Sequence, residues 1–199
     1  VMELLRGDTL DHVLASGPMP LSRALTIGEQ VLAALVEAHR HNVVHRDVKP
    51  SNIFIEARNG GDHAKIFDFG IALNEKAAVK LTMAGTAFGT PGYISPEMAR
   101  GDRIDGRADL YSLGVVLYEA LAGVPAIRNV TSLPDIIMAV RVHEIPALQE
   151  AAPWIEPGLA ATVHAALLRD LDARCPNIEA FAEALRPYAG GTDKIVESD

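Results

Sequence analysis

His45-Arg46-Asp47-Val48-Lys49-Pro50-Ser51-Asn52 is the stretch on which the reading of this chain turns. An acid, an amine two residues on and an amide five residues on suit a loop for phosphoryl transfer, a reaction that needs positioning and charge neutralisation more than covalent help. Asp47 can accept a hydrogen bond from an attacking hydroxyl and take its proton late. In an extended loop, alternation puts Lys49 on the same side, where its ammonium can reach the transferring phosphate. An isolated Asp-x-Lys would be ordinary surface charge making weak ion pairs. Here Asp68-Phe69-Gly70 and Ser95-Pro96-Glu97 follow in order, and three ordered motifs are far harder to meet by chance than one.

The flanking pattern supplies a frame for that loop. Leu10 to Ala15 reads as a short helix. Pro20 suits a first helical position, and Leu21, Ala24, Leu25, Val31, Leu32 and Leu35 keep helical spacing to about Asn42. Ile53-Phe54-Ile55 and Ala64-Lys65-Ile66-Phe67 are strand candidates, with a turn signal at Asn59-Gly60-Gly61-Asp62. Such a hairpin brings Asn52 close to Asp68, and hard oxygen ligands of this kind suit Mg²⁺. Asp68 to Glu97 is long and aperiodic, as functional loops are. Ser95 as N-cap with Pro96 behind it starts a short helix. Asp109 to Ala122 is apolar nearly all round and predicts a buried helix ended by Gly123. Helices are further expected near Leu133–Val142, Leu159–Arg169 and Asn177–Leu185, and a solvated tail over 190–199.

The bulk numbers bound the rest. At 199 residues, 49% of them hydrophobic, the chain can bury the core of one domain. A net charge of −8 argues against a dedicated nucleic-acid or membrane-surface binder. The longest apolar stretch, Leu110 to Ala126, contains Glu119 and is too short and polar for a bilayer span, so no membrane contact is expected within this segment. The single cysteine, Cys175, cannot form an internal disulfide and reads as a packed small side chain in a reducing, cytoplasmic setting. An anchor outside the segment would put the chain at the cytoplasmic face of a membrane instead. His39, His41 and His45 read as structural rather than as a zinc site, and Gly85 to Gly92 lacks the Gly-Lys-Ser/Thr ending of a P-loop.

On these motifs the chain resembles a eukaryotic-type (Hanks-type) protein kinase of the Ser/Thr-directed, bacterial-like kind. The resemblance runs over residues 1–189. It implies an α+β, mainly α, fold: a hinge at 1–8 and a helical C-lobe with a short β-hairpin, a catalytic loop at 45–52 and an activation segment at 68–97, the N-lobe being absent from this segment. It implies ATP and Mg²⁺ as cofactors, with Mn²⁺ as a substitute, and Ser/Thr-bearing proteins as partners in signalling. A homodimer would serve trans-autophosphorylation.

The same resemblance assigns roles. Asp47 would be the catalytic proton-accepting residue and Lys49 its cationic neighbour, the Lys marking Ser/Thr rather than Tyr transfer. Thr90 would tie the two together beside the substrate residue. Asn52 and Asp68 would hold the metal. Glu3 and Leu5 would bond the adenine edge through their backbone above an apolar floor at Phe54, and Asp8 or Thr9 would approach the ribose. Arg46 invites activation-loop phosphorylation, a guanidinium gripping phosphate through two bonds, with Thr82 and Thr86 as the acceptors. Glu97 should pair with Arg174, and Asp109 should accept backbone N–H groups near His45 and Arg46. Glu119 would face either a basic substrate residue or the core.

The chain departs from the family in two places. The segment contains no Gly-rich loop, no strand with a phosphate-pairing Lys and no helix carrying that lysine's Glu partner, so the 199 residues alone should have little or no kinase activity. After Gly123-Val124-Pro125-Ala126 comes Ile127, where relatives often carry an aromatic residue. The alternative to a catalytic lobe is a non-catalytic kinase-like binding or scaffold module. The intact set of Asp47, Lys49, Asn52 and Asp68 favours catalysis, since a scaffold has no chemical need for all four.

Overall fold

The computed structural model describes residues 6–58, 61–69, 91–130 and 132–189. Helices dominate. Strand β1 (Asp8–Thr9) runs into helix α1 (Leu10–Leu14), and α2 (Leu21–Arg40) follows. A 3-10 turn (Pro50–Asn52) leads to β2 (Ile53–Arg58) and β3 (Gly61–Ile66). After a second such turn (Pro91–Tyr93) come α3 (Pro96–Arg100), α4 (Arg107–Ala122), α5 (Leu133–Val142), α6 (Leu148–Ala151), α7 (Pro157–Ala166) and α8 (Ile178–Leu185). The three strands form one antiparallel sheet in the order β1-β2-β3. Among the described residues no helix is long and apolar enough to cross a membrane.

Helix α4 is the axis of the core. Ala108 through Tyr118 and Ala120 through Ala122 are all buried, as a helix apolar on every side must be in a soluble fold. It ends at Gly123, whose φ of 69° is the left-handed cap that glycine adopts without penalty. Helix α2 lies against it by the face Ala24, Leu25, Ile27, Gly28, Val31, Leu32 and Leu35. The approach is close at Gly28, where a Cβ would stand 2.8 Å from Leu117 Cδ2.

Several boundaries differ from the expected ones for local reasons. Pro20 is the residue before α2 rather than its first turn: its ψ of 137° is extended, and its carbonyl accepts the Ala24 N–H at 3.0 Å. The helix stops at Arg40 because Asn42 turns left-handed, φ 59°. The hairpin strands are longer than their apolar cores, because the ladder extends through the polar pairs Glu56–His63, Ala57–Asp62 and Arg58–Gly61. Asn59 and Gly60 of the expected turn lie outside the described residues. Helix α7 starts two residues early, at Pro157, and stops at Ala166. Asn177 caps α8, accepting the Ala180 N–H at 2.8 Å. The short α6 carries no sequence signal of its own.

Candidate active site

The 45–52 loop is held from below by one carboxylate. Asp109, in the first turn of α4 and fully buried, accepts the N–H of Arg46 on Oδ1 at 2.7 Å and the N–H of His45 on Oδ2 at 2.8 Å. His39 of α2 brings Nε2 to the same Oδ2 at 2.8 Å. Pointing two successive amides at one carboxylate requires an unusual backbone, and Arg46 has φ 67°. That conformation costs a non-glycine residue about 1–2 kcal/mol. Each charge-assisted hydrogen bond contributes about 1.5–3 kcal/mol, so the two bonds to Asp109 outweigh the strain.

His45 links this loop to the end of the hairpin. Its side chain is buried, Nε2 donates to the Phe67 carbonyl at 3.0 Å, and Nδ1 accepts the Asp47 N–H at 3.2 Å. Those two bonds require the neutral ring with its proton on Nε2. Burial agrees, pushing the imidazole below its ordinary value more than nearby Asp109 raises it. The ring also leans on Phe69, centroids 4.5 Å apart.

Above this support the polar groups converge. Asp47 Oδ2 accepts Lys49 Nζ at 2.7 Å and Asn52 Nδ2 at 2.9 Å, and Asn52 Nδ2 also reaches the Asp47 carbonyl at 2.8 Å. Lys49 is extended, φ −158°, ψ 161°, and its Nζ bond to Asp47 shows both side chains on one side of the loop. Across the hairpin base, the Phe67 N–H donates to the Asn52 carbonyl at 3.1 Å, extending the Ile53–Ile66 pairing by one step. Asp68 comes next, exposed and left-handed at φ 57°. With Nδ2 of Asn52 committed to Asp47, its Oδ1 remains an acceptor, and the Phe67–Asn52 backbone bond brings Asp68 one residue from it along the chain. Two hard oxygen donors of this kind fit Mg²⁺ or Mn²⁺. Among the described residues no cluster of three or more His, Cys, Asp or Glu side chains could hold a metal by itself.

Glu97 and Arg174 form a buried two-point pair, Nη1–Oε1 2.9 Å and Nη2–Oε2 3.0 Å. Arg174 also donates to the carbonyls of Leu168 (2.7 Å) and Arg107 (2.9 Å) and lies over the Tyr111 ring. Phe54 is half-buried on β2, paired with Thr9 and Lys65. Glu3, Leu5, Thr82, Thr86 and Thr90 lie outside the described residues. Asp8 is engaged locally, by the Thr9 N–H at 2.9 Å and His12 Nδ1 at 2.6 Å. Glu119 takes the Tyr93 hydroxyl, and burial pushes its carboxyl above the usual range while that bond partly offsets the rise. Cys175 is half-buried, its thiol pushed up by burial. His41 reaches Glu37 at 3.1 Å, apart from His39 and His45. Beside Ala126 and Ile127, where relatives often carry the aromatic, the surface opens into a cavity of about 320 Å³ also lined by Arg128, Ala139, His143 and Ile145.

Sequence reading named Asp109, Glu119 and the Glu97–Arg174 pair but missed His39, Gln30 and Tyr93 as their long-range partners and supports. His39 reaches Asp109 across 70 positions, Gln30 reaches β3, and the Tyr93–Glu119 pair spans 26. Neither His39 nor Gln30 lies in a motif or breaks a helical period, so no local signal marks them.

Comparison with known proteins adds an independent line. A family profile described as "Protein kinase domain" matches residues 1–176. The chain is similar to the serine/threonine-protein kinase pkn2 of Myxococcus xanthus, 37% identical over 190 residues, covering 93% of this chain and 23% of that protein. It is similar to the serine/threonine-protein kinase PknB of Mycobacterium leprae, 39% identical over 192 residues, covering 96% and 30%. The chain thus spans less than a third of these relatives' length. Its fold is similar to the crystal structure of the Mycobacterium tuberculosis PknI kinase domain, TM-score 0.70 at 26% identity, over 94% of this chain and 65% of that one; a point mutant of the same domain gives 0.71 at 25%.

Proposed function

The chain belongs to the protein kinase domain family, and from that premise we propose that it is the catalytic large lobe of a kinase moving the γ-phosphoryl group of ATP to Ser/Thr hydroxyls of proteins. The observation that carries the reading is the convergence on Asp47: Lys49 Nζ and Asn52 Nδ2 both bond its Oδ2. That leaves Oδ1 to accept a hydrogen bond from an incoming hydroxyl. The carboxylate orients the incoming hydroxyl and takes its proton as the new bond to the γ-phosphorus forms and the bond from that phosphorus to the departing ADP breaks. The Lys49 ammonium, with donors to spare, balances charge on the transferring group. Asn52 and Asp68 would hold Mg²⁺, which when bound neutralises phosphate charge. Phe54 would lie under the adenine, with Glu3 and Leu5 at its edge.

Lys49 supports Ser/Thr over Tyr transfer, Thr90 would bridge it to Asp47, and Thr82 and Thr86 are the proposed phosphoacceptors whose phosphate Arg46 would grip. The lobe needs a nucleotide-clamping small lobe, so the 199 residues alone should turn over ATP poorly. In protein carrying such a lobe in cis, Asp47→Ala should lower phosphoryl transfer to a Ser/Thr protein substrate about 10²–10⁴-fold, the span for removing a positioned base. Nucleotide affinity should stay near wild type. A loss under about tenfold would mean Asp47 is not the base. Nucleotide binding without turnover in the unmutated protein would favour a binding module instead.

A further inference from the structure

Among the described residues β3 is the outer strand of the sheet, and an outer strand leaves N–H and C=O groups without a ladder partner. Helix α2 answers two of them with one side chain. The Ala64 N–H donates to Gln30 Oε1 at 2.8 Å, and Gln30 Nε2 donates to the Asp62 carbonyl at 3.0 Å. Serving the C=O of one residue and the N–H of the residue two further on is what a residue of a parallel neighbouring strand does. The primary amide therefore stands in for a fourth strand, which neither a carboxylate nor an aliphatic side chain can do. One turn-pair earlier on α2, Arg23 Nε holds the Asp62 carboxylate at 2.5 Å. Gln30 and Arg23 thus clasp β3 from one face of the helix.

The clasp matters for what β3 delivers. Ala64 pairs with Ile55 and Ile66 with Ile53; Phe67 then bonds Asn52 through its N–H and His45 through its carbonyl. Asp68 follows in its left-handed conformation. Such a backbone persists only where its surroundings over-determine it. With β3 released on its outer side, Asp68 can relax to a common conformation and carry its carboxylate away from Asn52.

We propose that Gln30 is a positioning residue, its amide fixing the strand that sets the Asp68 carboxylate beside Asn52. The proposal rests on the metal-holding role of Asn52 and Asp68 given above. Loss of groups that orient metal ligands typically costs 10–100-fold in affinity. Gln30→Leu and Gln30→Glu should therefore weaken Mn²⁺ binding at least about tenfold, read as paramagnetic broadening of the Phe67 and Phe69 amide signals in the isotope-labelled chain. Gln30→Glu should regain affinity relative to wild type as the pH approaches the carboxyl's range, where the protonated acid donates again, whereas Gln30→Leu should not.

Unmutated protein supplies a check that needs no substitution to fold. Binding and clasp are linked reciprocally, so saturating Mn²⁺ or Mg²⁺ should slow hydrogen exchange of the Ala64 amide. Folded Gln30 variants with wild-type Mn²⁺ affinity, or an Ala64 exchange rate indifferent to metal, would overturn the positioning role. Asp68→Asn separates the two ideas: if it leaves the broadening unchanged, the metal-holding reading itself fails.

Discussion

Asp109→Asn puts the support of the 45–52 loop to a direct test. The carboxylate is fully buried and takes three donors, two of them backbone N–H groups that cannot rotate away. The amide keeps one acceptor oxygen and replaces the other with NH₂. If the oxygen faces Arg46, the NH₂ confronts the His45 N–H; His39 can switch tautomer to accept from it, but the backbone donor cannot. If the amide flips, the Arg46 N–H is stranded instead. Either way one buried donor is left unmade, at about 1–3 kcal/mol, and the remaining bonds lose charge assistance. The expected loss is about 3 kcal/mol in urea unfolding followed by circular dichroism, out of a total stability on the order of 10 kcal/mol. Because Arg46 is held left-handed by these bonds, amide exchange at His45 and Arg46 should accelerate beyond the global change. A loss under about 1 kcal/mol with unchanged exchange at both amides would refute the idea that this carboxylate builds the loop.

Two further outcomes follow from buried polar groups elsewhere. Arg174→Met leaves Glu97 charged, buried and unpaired, and should cost about 3–5 kcal/mol in the same unfolding assay; adding Glu97→Leu should recover much of it, and a single-variant loss under about 1 kcal/mol would contradict the pairing. His164 accepts the Leu148 N–H on Nε2 at 2.9 Å, sits edge-on to Tyr118, and is held below its ordinary value by burial. The unfolded chain therefore protonates first: stability should be full above about pH 6.5 and fall as the pH drops from there through the lowered folded value, His45 adding in the same direction. His164→Gln keeps an acceptor without the titration and should flatten the slope, and an unchanged slope would remove His164 as a contributor.

The motifs were legible because their chemistry is local. Asp47, Lys49 and Asn52 are close in sequence, and an extended loop brings them together whatever surrounds it. The helices α2, α4 and α5 were legible because a repeated apolar face or an unbroken apolar run can be buried in few ways. Helix α6 was not, since its four residues make too short a period to read. The polar extension of the hairpin was hidden too, because residues 56–58 and 61–63 pair through backbone bonds that any side chain permits.

Sequence alone determined the Asp47, Lys49 and Asn52 set, the helical frame and the hairpin that brings Asn52 towards Asp68, since each is written in neighbouring residues and their spacing. Tertiary structure alone decided the contacts that no motif announces: His39 upon Asp109, Gln30 against β3, and Tyr93 upon Glu119. These contacts join residues 26 to 70 positions apart through hydrogen bonds, and a hydrogen bond depends on distance and direction, which only the folded chain supplies.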